Sequence, residues 1–126
     1  MAGVNSVGWF EIGTDNLGVA EKFYGDVFGW KVGHDGSDGP GYHQITAGDG
    51  PGLNMGGLVE TGGAVPAYAV FGVLVADVAD TCERVKAAGG AVKSGPQVTP
   101  GGIASAHLLD PAGNQFEVFS MPPEHS

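Results

Sequence analysis

The sequence is short of basic residues and of cysteine, and it contains no long apolar run. Five lysines and arginines stand against fourteen acids, giving a net charge of −9 at pH 7 over 126 residues. Nucleic acid and anionic membrane surfaces both need a basic footprint, so neither is an expected partner. The single cysteine, Cys82, excludes an internal disulfide. No stretch approaches the roughly 20 apolar residues of a membrane span. The opening MAGVNSVGW lacks the basic segment and apolar run of a secretion signal, so a cytoplasmic protein is expected.

Glycine, by contrast, is abundant, with 24 residues scattered without a repeat. That excludes a collagen-like chain and points to a strand-rich fold with many tight turns. Hydrophobic residues make up 42% and charged residues 15%, enough apolar material for one domain over 1–126 with a packed core and no disulfide.

The stretch VGWFEIG, residues 7–13, reads as a first strand. Phe10 and Ile12 share one face and are expected to look into the core. Val7, Trp9 and Glu11 share the other. A helix follows, with Thr14 or Asp15 as its cap, Leu17, Ala20, Tyr24 and Val27 at helical spacing, and Gly29 as its stop. Strands are expected near WKVG, YHQITA and LNMGGLVE. The same plan then repeats. Strand 68–75 leads to Asp77, a cap with Asp80 in the first turn, and Val78, Cys82 and Val85 form the buried stripe before Gly89-Gly90. AVKSG, IASAHLLD and NQFEVF complete it as strands. The copies superpose at an offset of 61 positions, as Phe10 to Phe71 and Gly29 to Gly90 show. Two βαβββ units are expected, at about 4–60 and 68–122, joined by a connector at about 60–67.

The segments WFEI, FYGDVFGW and DPAGNQFEVF resemble the vicinal oxygen chelate superfamily, which includes glyoxalase I, extradiol dioxygenases and bleomycin-binding proteins. The resemblance spans nearly the whole chain. It implies an α+β fold in which two tandem βαβββ modules form a curved, half-open sheet cup, and it implies a homodimer. Metal-dependent members carry four inward ligands, one from the first and one from the last strand of each module. By that resemblance the first-strand positions fall on Trp9 and Val70, and the last-strand positions on Glu117 and on Gly56 or Gly57. Three of the four have no ligating side chain, so no metal or other cofactor is expected. A rearranged carboxylate-rich site would need His107 beside Glu117, with Glu11 as a third donor. His43 is a further candidate to face the cup from its strand, while His34 and His125 are given no role. HDGSDGPG resembles a calcium loop only faintly: Asp35 and Asp38 are wrongly spaced, and no glutamate follows at the twelfth position.

Without a metal, the face becomes an apolar, aromatic cleft with a few polar groups, the usual make-up of a small-molecule site. Its expected lining is Trp9, Val70 and Phe119, with Trp30 and Tyr42 at the rim and Glu11, Asn54, His107 and Glu117 as the polar groups. Every one of these has a plainer structural reading, as a core plug or a satisfied core polar group. The expected function is metal-independent binding and sequestration of an aromatic, antibiotic-like natural product, conferring self-resistance by holding it. Two alternatives stand beside it. One is a metal-free isomerase, cyclase or lyase of natural-product metabolism, in which Glu117 or Glu11 acts as base and His107 as acid. The other is a metal-dependent glyoxalase- or dioxygenase-like enzyme with a rearranged site.

Overall fold

The computed structural model describes residues 3–34, 36, 41–50 and 52–122. Asp35 and Asp38 of the calcium-like loop and His125 of the tail lie outside the described residues. The fold is α+β: each of two tandem modules runs strand, helix, then three strands. The chain forms two compact units, one from Trp9 to Ala69 and the other joining the residues up to Gly8 to the chain from Val70 onward.

The first unit takes up β1 (Val7–Thr14) at Trp9, and β1 leads to helix α1 (Leu17–Phe28), the two-residue strand β2 (Lys31–Val32), β3 (Tyr42–Thr46) and β4 (Met55–Glu60). The strand order is β2-β3-β4-β1, with β1 and β4 parallel and the other pairs antiparallel. Among the described residues Ile45 and Leu58 are its largest fully buried side chains. Phe10, Tyr24 and Phe28 gather round Trp30, and Tyr24 stacks on the indole at 5.2 Å.

The cap of α1 is Asn16 rather than Thr14 or Asp15. β1 runs on to Thr14, whose hydroxyl accepts the Asn16 N–H, and this turn leaves Asn16 extended with its side chain accepting the Val19 N–H at 3.1 Å. Gly29 ends the helix in the left-handed region at φ 75°, where a Cβ would be strained. The apolar stripe is also narrower than its spacing suggests. Val27 is exposed, because Trp30 rather than Val27 packs against Tyr24 where the helix ends.

The second unit takes up β5 (Tyr68–Leu74) at Val70, Tyr68 and Ala69 belonging to the first, and β5 leads to α2 (Val78–Ala87), β6 (Ala91–Val98), β7 (Ala104–Leu109) and β8 (Gln115–Ser120). The order is β5-β8-β7-β6, with β5 and β8 parallel. Asp77 caps α2 by accepting the Asp80 N–H at 3.0 Å. Val78 and Cys82 go into a core with Val75, Ala106, Leu108 and Val118. Burial pushes the Cys82 thiol pKa up, as expected of a cysteine that serves as a small hydrophobe. The residues before β1 run along the end of β5: Asn5 N–H donates to the Leu74 carbonyl and Leu74 N–H to that of Ser6.

Candidate functional site

Polar and aromatic groups collect on one face of the first unit. By alternation Trp9, Glu11 and Gly13 share a face of β1. Glu11 is 3% exposed, the most buried charged side chain among the described residues of the unit. A carboxylate so far from water is costly unless hydrogen-bonded, and the Tyr68 hydroxyl donates to its Oε2 at 2.6 Å. The Tyr68 ring reaches Glu11 by lying flat over Gly13, where any Cβ would collide with it. Tyr68 was not among the residues expected here. The signal was present in Gly13, since a glycine inside a strand marks a close approach by some other group.

Trp9 is tied in a parallel manner. Its indole Nε1–H donates to the Tyr42 hydroxyl at 3.1 Å. The Tyr42 ring in turn covers Gly57, whose missing side chain makes room for it. Gly57 lies directly opposite Glu11 in the β1–β4 ladder.

Two residues expected on this face lie elsewhere. Trp30 packs with Phe10, on the opposite side of β1 from Trp9, because Phe10 and its neighbours on α1 offer it three aromatic partners. Asn54 donates to the Gly50 carbonyl at 2.8 Å, while its own carbonyl accepts the Ala47 N–H, so it closes the β3–β4 turn. His43 also faces away: it stands opposite Leu58 in β4, one residue out of phase with Tyr42.

In the second unit His107 and Glu117 are direct cross-strand neighbours on β7 and β8. His107 Nε2 stands 3.6 Å from Glu117 Oε2, with Glu117 buried and His107 largely so. Gln115 Nε2 lies 3.0 Å from His107 Nδ1. With the amide donating, a neutral imidazole keeps its proton on Nε2, toward the carboxylate. Phe119 follows Glu117 by two residues and so shares its face, and Val70 is buried in β5. The turn that delivers β8 is held by Asp110, whose carboxylate accepts the backbone N–H groups of Ala112 and Asn114 and the Asn114 side-chain amide. Those hydrogen bonds, the one from the Asn114 side chain foremost, hold the Asp110 carboxyl below its ordinary pKa of 3.8.

The ladders also show how the two copies differ. Glu11 faces Gly57 in the first unit, whereas Gly72 faces Glu117 in the second. Glu11 and Gly72 are 61 positions apart, and Gly57 and Glu117 are 60 apart. Register therefore selects Gly57 rather than Gly56 as the counterpart of Glu117. Carboxylate and glycine have changed places between the copies.

The sequence profile of the Glyoxalase/Bleomycin resistance protein/Dioxygenase superfamily matches residues 6–118. The chain belongs to this superfamily. It is 37% identical over 119 residues to the anthracycline biosynthesis protein DnrV of Streptomyces peucetius, a match covering 92% of this chain and 42% of that protein. A match of the same extent to the anthracycline biosynthesis protein DauV of Streptomyces sp. (strain C5) is 36% identical. The chain thus spans about two-fifths of the length of these relatives. Among solved structures, methylmalonyl-CoA epimerase from Mycobacterium tuberculosis aligns with a TM-score of 0.63 at 15% identity, covering 98% of this chain and 93% of that one. The Mn(II)-bound glyoxalase from Novosphingobium aromaticivorans aligns with a TM-score of 0.60 at 22% identity, covering 98% of this chain and 42% of that one. At such identities the likeness is one of fold.

A superfamily that includes a Mn(II)-bound glyoxalase raises the question of metal fit. The four positions at which the resemblance implies ligands hold Trp9, Gly57, Val70 and Glu117. An indole, a glycine under a tyrosine ring and a buried valine donate nothing to a metal. With His107 beside Glu117 the second unit offers two donors, and the first unit offers none at its two positions. This donor set does not fit a metal held in that symmetric way. Among the described residues, no helix is long and apolar enough to cross a membrane.

Proposed function

We propose that the chain binds a flat, polycyclic aromatic small molecule without a metal and holds it. The observation that carries this reading is the Trp9–Tyr42 pair: an indole stands at an implied ligand position, hydrogen-bonded to a phenol whose ring covers Gly57. Aromatic rings held in this way are a stacking surface worth roughly 0.5–1.5 kcal/mol to a planar ligand beyond the area buried. The names of the relatives, anthracycline biosynthesis proteins, support this choice of ligand class. We take the ligand to be an intermediate or product of such a pathway, with Glu11 and Tyr68 of the same unit completing the recognition. Association as a homodimer belongs to the proposal and is supported by Val19, Phe23 and Val27, an apolar row exposed on α1.

A second reading, metal-free transformation of an aromatic ligand at the second unit, is favoured by the His107–Glu117 pair with Gln115 behind it. An imidazole oriented by one neighbour and set against a carboxylate is equipped to move a proton.

The test is titration of the intrinsic tryptophan fluorescence with a tetracyclic quinone, for the native chain and for Trp9→Ala, followed by mass analysis of the recovered compound. Saturable binding, weakened at least about tenfold (1.4 kcal/mol) in Trp9→Ala, with the compound returned unchanged, is the expected result. Equal affinity in a folded Trp9→Ala variant refutes the proposed face. A compound returned with altered mass or retention selects the second reading.

A further inference from the structure

The first unit contains a histidine whose two ring nitrogens both face acceptors. His43 Nδ1 lies 3.0 Å from the Gly33 carbonyl oxygen, just beyond β2, and Nε2 lies 3.0 Å from Glu60 Oε2 at the end of β4. A carbonyl and a carboxylate only accept. A neutral imidazole has one N–H, so it can satisfy one of them and must turn a lone pair toward the other. Only the imidazolium donates to both. The side chain is 15% exposed, which leaves little room for water to take over either contact.

The placement gives this charge a mechanical role. β3 pairs with β2 on one side and β4 on the other, and the His43 ring bridges the outer flanks of both neighbours. The Gly33 N–H donates to the Gln44 carbonyl, and the Glu60 N–H donates to the Gly41 carbonyl. The acceptors of His43 therefore sit on the backbone that brackets Tyr42. On the opposite face of β3, Tyr42 receives the Trp9 indole N–H.

We infer that His43 is a protonation-dependent clamp on β3: as imidazolium it ties the end of β2 to the end of β4 and so holds Tyr42 against Trp9. The inference deepens the proposed binding face by giving it a pH control. Among the described residues, the titratable groups that act on His43 are Glu60 from β4, Glu21 from α1 and His34 from the segment after β2. The His34 ring stands 5.2 Å away with Glu21 against its Nε2 at 2.9 Å, so its own carboxylate lies beside it. The Glu60 hydrogen bond is the largest influence and raises the His43 pKa above its ordinary 6.5, with the Gly33 carbonyl adding to it and burial opposing. For a base whose pKa is raised on folding, the clamp is fully present below the ordinary value. It is lost as pH rises through the raised one.

The test uses ligand-free protein, so that its failure is separate from failure of the ligand proposal. The His43 ring protons and the Trp9 indole N–H are followed by NMR from pH 5 to 9, assigned through the resonances missing in His43→Asn and Trp9→Phe. The expected result is a His43 midpoint above 6.5, a Trp9 resonance that shifts with the same midpoint, and a fall of both midpoints in Glu60→Gln, which keeps the side-chain shape. A His43 midpoint at or below 6.5, a Trp9 resonance that ignores it, or an unchanged midpoint in Glu60→Gln overturns the clamp.

Discussion

The Tyr68 hydroxyl donates to Glu11 Oε2 at 2.6 Å across a glycine, and this contact joins residues 57 positions apart. The phenol crosses Gly13 to reach the carboxylate, so tyrosine, glycine and glutamate form one packing unit. Tyr68→Phe keeps the ring over Gly13 and removes only the donor. Taking one donor from a buried carboxylate costs about 1–3 kcal/mol. A lowered urea midpoint with an unchanged slope is the expected outcome. A midpoint equal to that of the native chain would show that the hydrogen bond contributes nothing to stability.

Among the described residues the second unit buries more apolar side chains than the first, and a truncation there is expected to be costly. Leu108 is 0% exposed among Val78, Cys82 and Val118. Leu108→Ala should lose about 2–5 kcal/mol of unfolding free energy. Val98→Ala, at the exposed end of β6, should change stability by less than about 0.5 kcal/mol. Chemical denaturation of the two variants in parallel checks the contrast, and similar losses in both would contradict the packing described.

Much of this organisation was legible in the residues. Alternation in VGWFEIG places Trp9 and Glu11 on one face, the 61-position offset reveals the duplication, and Asp77 and Gly29 mark helix ends through their own chemistry. What escaped depends on register and on distant approach. Gly56 and Gly57 are equivalent as letters, and only the β1–β4 ladder puts Gly57 opposite Glu11. Tyr68 is an ordinary strand residue until the fold lays it over Gly13. Trp30 has aromatic neighbours on either side of β1, and its choice of Phe10 over Trp9 is a matter of three-dimensional packing. The cap at Asn16 was missed because β1 runs one residue further than its alternation indicates, moving the helix start with it.

Asp110 links acid stability to the turn that carries β8. Its carboxyl pKa is lowered by the Asn114 side-chain amide and the turn N–H groups, so its contribution is present above the ordinary pKa and is lost as pH falls through the lowered one. Asp110→Asn should therefore be less stable than the native chain at pH 7, and the gap should close as pH drops below about 4, near the reference range for aspartate. Thermal melts of both proteins across that range provide the measurement. A gap that stays constant down to low pH would assign the effect to side-chain shape instead of charge.

Binding of a planar aromatic ligand without a metal can be decided by one dissociation constant measured under two conditions. Protein stripped with a chelator and the same protein resupplied with Mn(II) or Zn(II) are each titrated with a tetracyclic quinone by tryptophan fluorescence. Equal affinities in the two samples, with no metal retained in the bound fraction, are the expected result. Binding that appears only after metal is restored would contradict the claim and make the donors beside Glu117 part of a metal centre.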